Sequence, residues 1–344
     1  MDLSLKDTEA KDKWVIEIVE KGFVGEYTCH VLDSNGKIHI AYFDYVNGDL
    51  KHAKSGPDGW LIEQVDQEGT VGQYLSIAKD EQERIYISYR DQGRNRLKMA
   101  VFDGNRWNCE VVDNEPFASI DTSICVDALG NVYVSYYNFS EGYLKLATRN
   151  KGQWKIEIVD DGQKQSNAVG GFSSVKVDSG GRIHISYIDS VNGFLKYAVK
   201  EDDNWNIEIA DDSEFVSHCT SLALDKEGNP YISYTVDKFP NKPDLWLAKR
   251  VRGKWIVEIV DTASIAGQFN SMVLDQHLNI YISYSAMSSL RLAKNIHGLW
   301  SYELVDDKGT ITYTSLSIDT DGMPHVAYHD KDCGVKYARK TSAV

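Results

Sequence analysis

The sequence predicts an all-β fold, a seven-bladed β-propeller with four antiparallel strands in each blade. Three observations lead there. ISY-like strings recur at 40–42, 87–89, 134–136, 185–187, 232–234, 282–284 and 326–328, about 47 residues apart. Each copy holds the same segments in the same order: an apolar run ending in Asp, the ISY run, L-K-x-A, and W-x-x-E-x-x-D. The segments alternate apolar and polar residues, are rich in β-branched and aromatic types, and have no helical period.

Lettered A to D, the four segments can be justified in turn. Strand A ends in Asp33, Asp80, Asp127, Asp178, Asp225, Asp275 or Asp319, before turns such as DSNG, DALG, DSGG and DTDG. There the carboxylate holds turn backbone and the glycine supplies a positive φ. The next strand resumes about four residues later, too soon for a calcium loop. Strand B has one slot shared by His39, His184, His325 and, in the other copies, Tyr, which marks a packing position. Strand C places Lys51, Lys98, Lys145, Lys196, Arg291 and Lys336 in one slot, and strand D places Glu63 or its counterpart three residues after each Trp. Basic residue and Glu lie 12 apart across the C–D turn (51 to 63, 98 to 110), which predicts cross-strand ion pairs. Only blade five departs, with Trp246 in the basic slot. The last copy lacks strand D, and a lone one, WVIEIVE at 14–20, precedes the first copy. Pairing the two closes the ring and hides both edges. One domain over 1–344 is expected, with blades at 27–66, 74–113, 121–160, 172–211, 219–261, 269–306 and 313–339 plus 14–20.

Composition limits the function. Lys plus Arg number 37 against 51 Asp plus Glu, a net charge of −14, which argues against nucleic-acid partners and anionic membranes. No apolar run reaches the length of a membrane span. The first residues, MDLSLKDTEAKDKW, lack a basic and then apolar leader, so a cytoplasmic monomer is expected, or a secreted one if a leader has been removed. Five widely spaced cysteines without C-x-x-C argue against a disulfide framework. G-x-S-x-G, P-loop, H-E-x-x-H and dinucleotide motifs are missing, and the histidines have no ligand spacing, so neither cofactor nor metal is expected.

Loop lengths then select a face. The A–B and C–D spacings are constant, nine from Asp to Tyr and ten from Leu to Trp. The B–C spacing varies (8, 11, 6 or 7 residues from the ISY Tyr) and so does D–A, with 24 residues from Trp154 to Asp178 against 19 or 20 elsewhere. A rigid scaffold tolerates such variation where loops bind, so function belongs on the B–C/D–A face. Residues that break the repeat there are the candidates. His30 replaces an apolar residue in strand A, and His329 follows the strand-B Tyr where other blades have Phe43, Arg90, Tyr137, Ile188, Thr235 or Ser285. Tyr27, Tyr74, Asp121, Phe172, Cys219, Phe269 and Tyr313 share the strand-A slot nearest the mouth. Blades seven, one and two are ring neighbours, so these exceptions gather on one side of the axial funnel. Catalytic roles fall to His30, His329, Tyr27 and Tyr313, because imidazole and phenol exchange protons and a guanidinium can neutralise an anion. Ligand binding falls to Arg90, Tyr74, Glu26, Gln73, Tyr137, His218 and Trp246.

The repeat (ISYRDQGRNRLKMA, ISYIDSVNGFLKYA, each followed by W-x-x-E-x-x-D) resembles the bacterial and archaeal propellers of the sialidase-like, BNR-type repeat superfamily. The resemblance spans essentially the whole chain, but S-x-D-x-G-x-T-W boxes are missing and sialidase activity is not implied. The repeat also resembles seven-bladed polysaccharide lyases such as ulvan lyases, which use Tyr, His and Arg for β-elimination. It is similar in style to the propeller half of a cyanobacterial cyclophane-forming alkylating enzyme. These likenesses imply acid–base chemistry of lyase or cyclase type on a small molecule or short glycan. The alternatives are a lectin and a protein-interaction scaffold. Propeller lectins reuse one site per blade, whereas the variable slots here differ from blade to blade.

Overall fold

Strand B explains how the repeat folds. Ile38–Asp44 is buried at every position, since neighbouring blades cover both faces of its sheet. Ile40, Ile87, Val134, Ile185, Ile232, Ile282 and Val326 are fully buried in this way. Burying such a side chain contributes about 2 kcal/mol. The outer strand D alternates instead, as in Gly59–Asp66, because one of its edges meets solvent.

The computed structural model describes residues 13–115, 118–162, 168–237, 243–262 and 265–341. Residues 1–12, on which the leader expectation rests, and 238–242 of the long B–C connection in blade five lie outside the described residues. Seven four-stranded antiparallel sheets result, each in the order A-B-C-D from the axis outward. Blade one runs Val24–Leu32, Ile38–Asp44, Asp49–Gly56, Gly59–Asp66. In the seventh, Ile311–Ile318, Pro324–Asp330 and Gly334–Thr341 take Lys13–Lys21 as their fourth strand, in register from Lys13↔Thr341 to Lys21↔Gly334. The fold is the expected propeller, closed by its N-terminal strand.

The turn and strand-B slots behave as packing. Asp33 accepts the N–H groups of Asn35 and Lys37, both at 2.8 Å, and the other strand-A aspartates repeat the pattern. His184 sits between Asp178 (3.1 Å) and the Tyr197 hydroxyl (2.5 Å). The predicted cross-strand Lys–Glu pairs, however, do not form. The C–D turn pairs Phe102 with Trp107, and that register continues along the hairpin so that Glu110 faces Met99 and Lys98 faces Val111, on opposite faces of the sheet; the other blades do the same. Freed from that pairing, the lysine reaches the Asp ending strand D of the preceding blade. Lys98 and the Tyr89 hydroxyl (2.6 Å) both bind Asp66, and Lys196 and the Tyr187 hydroxyl (2.6 Å) both bind Asp160. Burial alone would raise Asp66, but the Lys98 and Tyr89 hydrogen bonds outweigh it and hold its pKa below the usual value. In five blades the strand-D Glu instead accepts the next blade's indole, as Glu63 does from Trp107 at 2.9 Å and Glu208 from Trp255 at 2.9 Å; Trp205 and Trp300 make no such bond. The conserved-looking motif is thus a latch between blades.

Candidate functional site

The start of strand A carries a β-bulge in every blade. In blade one the ladder breaks after Glu26↔Phe43 and resumes at Cys29↔Ala41, leaving Tyr27 and Thr28 outside it. Tyr27, Tyr74, Asp121, Phe172, Cys219, Phe269 and Tyr313 all take left-handed φ values between 49° and 60°. Such φ values cost free energy in residues other than glycine, and a bulge re-aims the side chain. Four of the bulges are preceded by a glycine with positive φ. At Gly72 a Cβ would lie 2.9 Å from the Leu50 backbone, so only glycine permits the approach. The result is a ring of seven half-buried side chains at one end of the propeller axis.

These seven residues and those following them line a cavity of about 250 Å³. Four aromatic rings form a continuous arc, with centroids 4.7 Å apart for Phe269–Tyr313, 4.8 Å for Tyr313–Tyr27 and 4.7 Å for Tyr27–Tyr74. Tilts of 45° to 55° match the edge-to-face preference of aromatic quadrupoles. Phe172, Cys219 and Asp121 complete the ring. Asp121 Oδ2 accepts the Phe172 N–H at 3.1 Å, and no other described residue hydrogen-bonds this carboxylate. Burial pushes its pKa up to about 6, with the Phe172 N–H opposing. Burial first, and then the Tyr313 and Tyr74 phenols, raise Tyr27 far above the usual range, so its phenol stays protonated at neutral pH. Below them Thr122, Thr220 and Thr314 donate to the carbonyls of Tyr74 (2.7 Å), Phe172 (2.7 Å) and Phe269 (2.6 Å), fixing each bulge to the next blade. A lower axial compartment of about 550 Å³ follows, ringed by serines that accept backbone N–H groups across the blade gaps.

The residues expected at the site divide into three groups. Tyr27, Tyr74 and Tyr313 line the mouth. Glu26, Gln73, Arg90, Tyr137, His218 and His329 border it. Half-buried Glu26 has its pKa raised by burial and pulled down by Lys331, and its charge in turn raises Tyr313. Arg90, opposite Gln73 in the ladder, sits 6.0 Å from the Tyr74 ring and donates to Asn95 at 2.7 Å. Tyr137 feels first its own burial and then the Asp121 charge, both raising its pKa. Exposed His218 lies 5.7 Å from Phe172 across the mouth.

His329 stands behind the ring, stacked on Tyr313 at 6.3 Å, with Nδ1 2.9 Å from the Thr312 hydroxyl. It is 6% exposed, and burial, with Lys331 adding, brings its pKa down to about 4. The third group lies apart. His30 is 5% exposed, between blades one and seven beside the lower compartment, with Nδ1 3.1 Å from Ser315 and Nε2 2.7 Å from Ser317. Burial brings its pKa down to about 3, with His325 contributing. Trp246 is buried in the core against Tyr234, where an apolar ring fills the space that a lysine spans elsewhere. The two imidazoles and the Arg90 guanidinium therefore do not share one cavity.

Sequence reasoning passed over Asp121. Its signal was there: it is the one charged residue in a slot otherwise held by Tyr, Phe and Cys. As for the scaffold alternative, exposed apolar side chains recur on the outer strands, as Ile16 and Ile18, Leu61 and Ile62, Ile156 and Ile158, Ile207 and Ile209, and Ile256 and Ile259 do, so the apolar surface is distributed round the rim.

No protein-family model matches the chain, and no curated protein matches its sequence. Solved structures do match in shape. A polysaccharide lyase of family PL25, an ulvan lyase, superposes with a TM-score of 0.62 at 12% identity, over 94% of this chain and 98% of that one. The Aleuria aurantia lectin AAL gives 0.55 at 17% identity, over 84% and 98% of the two chains. A protein of unknown function from Dyadobacter fermentans gives 0.58 at 12% identity, over 95% and 97%. Likeness at this level of identity establishes architecture alone, and that architecture is the seven-bladed β-propeller.

Proposed function

We propose that the axial mouth binds one small ligand, a small molecule or the end of a short glycan, on the arc from Phe269 to Tyr74. The observation that carries this reading is the asymmetry of the ring: an unbroken aromatic arc over four blades and a single carboxylate, Asp121, between the end of that arc at Tyr74 and Phe172. A cavity of about 250 Å³ suits a single sugar-sized ring, and aromatic faces take the apolar face of such a ring while polar groups fix its orientation. Ulvan lyase bound to a glucuronate–rhamnose sulfate fragment and the Aleuria lectin in complex with fucosyl-N-acetylglucosamine are propellers of similar shape that hold glycans, which supports the ligand class by analogy.

A second reading adds turnover. Asp121, with a pKa near 6, is poised to take or return a proton near neutral pH, and the Tyr27 phenol, which lines the same cavity and is held protonated, can donate. Lyase- or cyclase-type chemistry would then run through Asp121 and Tyr27, with His329 positioning Tyr313. Calorimetric titration with neutral, acidic and amino monosaccharides tests binding. At least one class should bind with one site per chain, and Tyr27→Ala with Tyr313→Ala should abolish the signal. Unchanged binding in that double variant would remove the mouth from consideration.

A further inference from the structure

Resting on the ligand-binding reading of the mouth, we infer that its ligand is an organic ammonium, whose apolar carbons lie on the aromatic arc and whose positive charge faces Asp121. The cavity is lined by five aromatic rings, one carboxylate, and small polar or apolar residues, with no Lys, Arg or His among its described lining. Two described cations bordering the mouth are engaged by other groups: the Arg90 guanidinium donates to Asn95 (2.7 Å), and Lys331 acts on Glu26 and His329. Among the described residues Asp121 receives one backbone N–H and no cation. Ionised, it is a half-buried charge without a counter-ion, which a ligand cation would supply.

The aromatic arc favours the same charge. Ring faces carry negative quadrupole density, and an ammonium held within about 6 Å of several rings gains attraction that grows as water is excluded. The chain's net charge of −14 adds a long-range pull on cations. A neutral sugar would leave the carboxylate uncompensated, and an anion would meet it across a cavity of only about 250 Å³.

The test uses calorimetry on the full chain with choline, its neutral isostere 3,3-dimethylbutan-1-ol, and methyl glucoside. Choline should bind at least about tenfold more tightly than the isostere. Asp121→Asn should remove most of that preference, and Tyr74→Leu, which shortens the arc and keeps the charge, should weaken choline about tenfold. Equal affinity for choline and isostere, or binding of methyl glucoside alone, would overturn the ammonium assignment while leaving the mouth a ligand site. Failure of all three probes and of the monosaccharide panel would overturn both.

Discussion

Asp121→Asn is the sharpest perturbation of the mouth, since it removes the carboxylate and keeps its shape. Burial lifts Asp121 from the usual 3.8 to about 6. At about 1.4 kcal/mol per pKa unit, the ionised form costs the native protein roughly 3 kcal/mol, an upper value because the mouth is open to water. The folded state holds this proton more tightly than the unfolded chain does. Below about pH 4 both states are protonated and the cost is absent; between about pH 4 and pH 6 the unfolded chain loses its proton first, so stability falls as pH rises; above about pH 6 the full cost is present. An amide never ionises. The variant should therefore match the parent near pH 4 and exceed it at neutral pH by 1 kcal/mol or more, up to about 3. Urea unfolding followed by tryptophan fluorescence at several pH values reads the difference directly. A gap that does not change with pH, or a variant less stable than the parent at neutral pH, would refute the assignment of a raised, uncompensated carboxylate.

Further outcomes follow from the latches and the buried imidazoles. His30→Ala leaves the Ser315 and Ser317 hydroxyls without their imidazole partner in a buried site, and should lower stability by about 1–3 kcal/mol in thermal unfolding, whatever its effect on binding. With pKa values near 3 and 4, His30 and His329 should stay neutral by NMR at about pH 5, where an unfolded histidine is charged; the stability they contribute should fall as pH drops from about 6.5 through those values. Lys98→Ala strands Asp66 in a buried site and should cost about 3–5 kcal/mol, whereas Tyr89→Phe, which removes one of its hydrogen bonds, should cost about 1–3 kcal/mol, both by chemical denaturation. Deleting residues 1–21 exposes the edge of Gly334–Thr341 and should give aggregation or loss of cooperative unfolding in size-exclusion and melting assays.

Blade number, strand order and ring closure were legible in the sequence because each is written seven times over in short-range patterns: the ISY run, the Asp turn, the displaced WVIEIVE strand. So was the end that carries the ring of half-buried side chains, since loop lengths vary on one face only. The partners of the repeated Lys and Glu were not, because the C–D turn sets a register one residue off the pairing that a spacing of 12 implies, which puts Lys98 and Glu110 on opposite faces of the sheet and leaves the lysine to the neighbouring blade. The same physics decided the site. Alternation assigns a side chain to a face by counting in twos, and the strand-A bulge interrupts that count between Glu26 and Cys29, turning Tyr27 to the axis. The sequence alone therefore named Tyr27, Tyr74 and Tyr313 as mouth residues. Only the packed ring put His30 between two sheets, His329 behind Tyr313, and Asp121 as the one carboxylate in a cavity lined by aromatic rings. Those outcomes depend on contacts between blades, over separations of dozens of residues that no local pattern records.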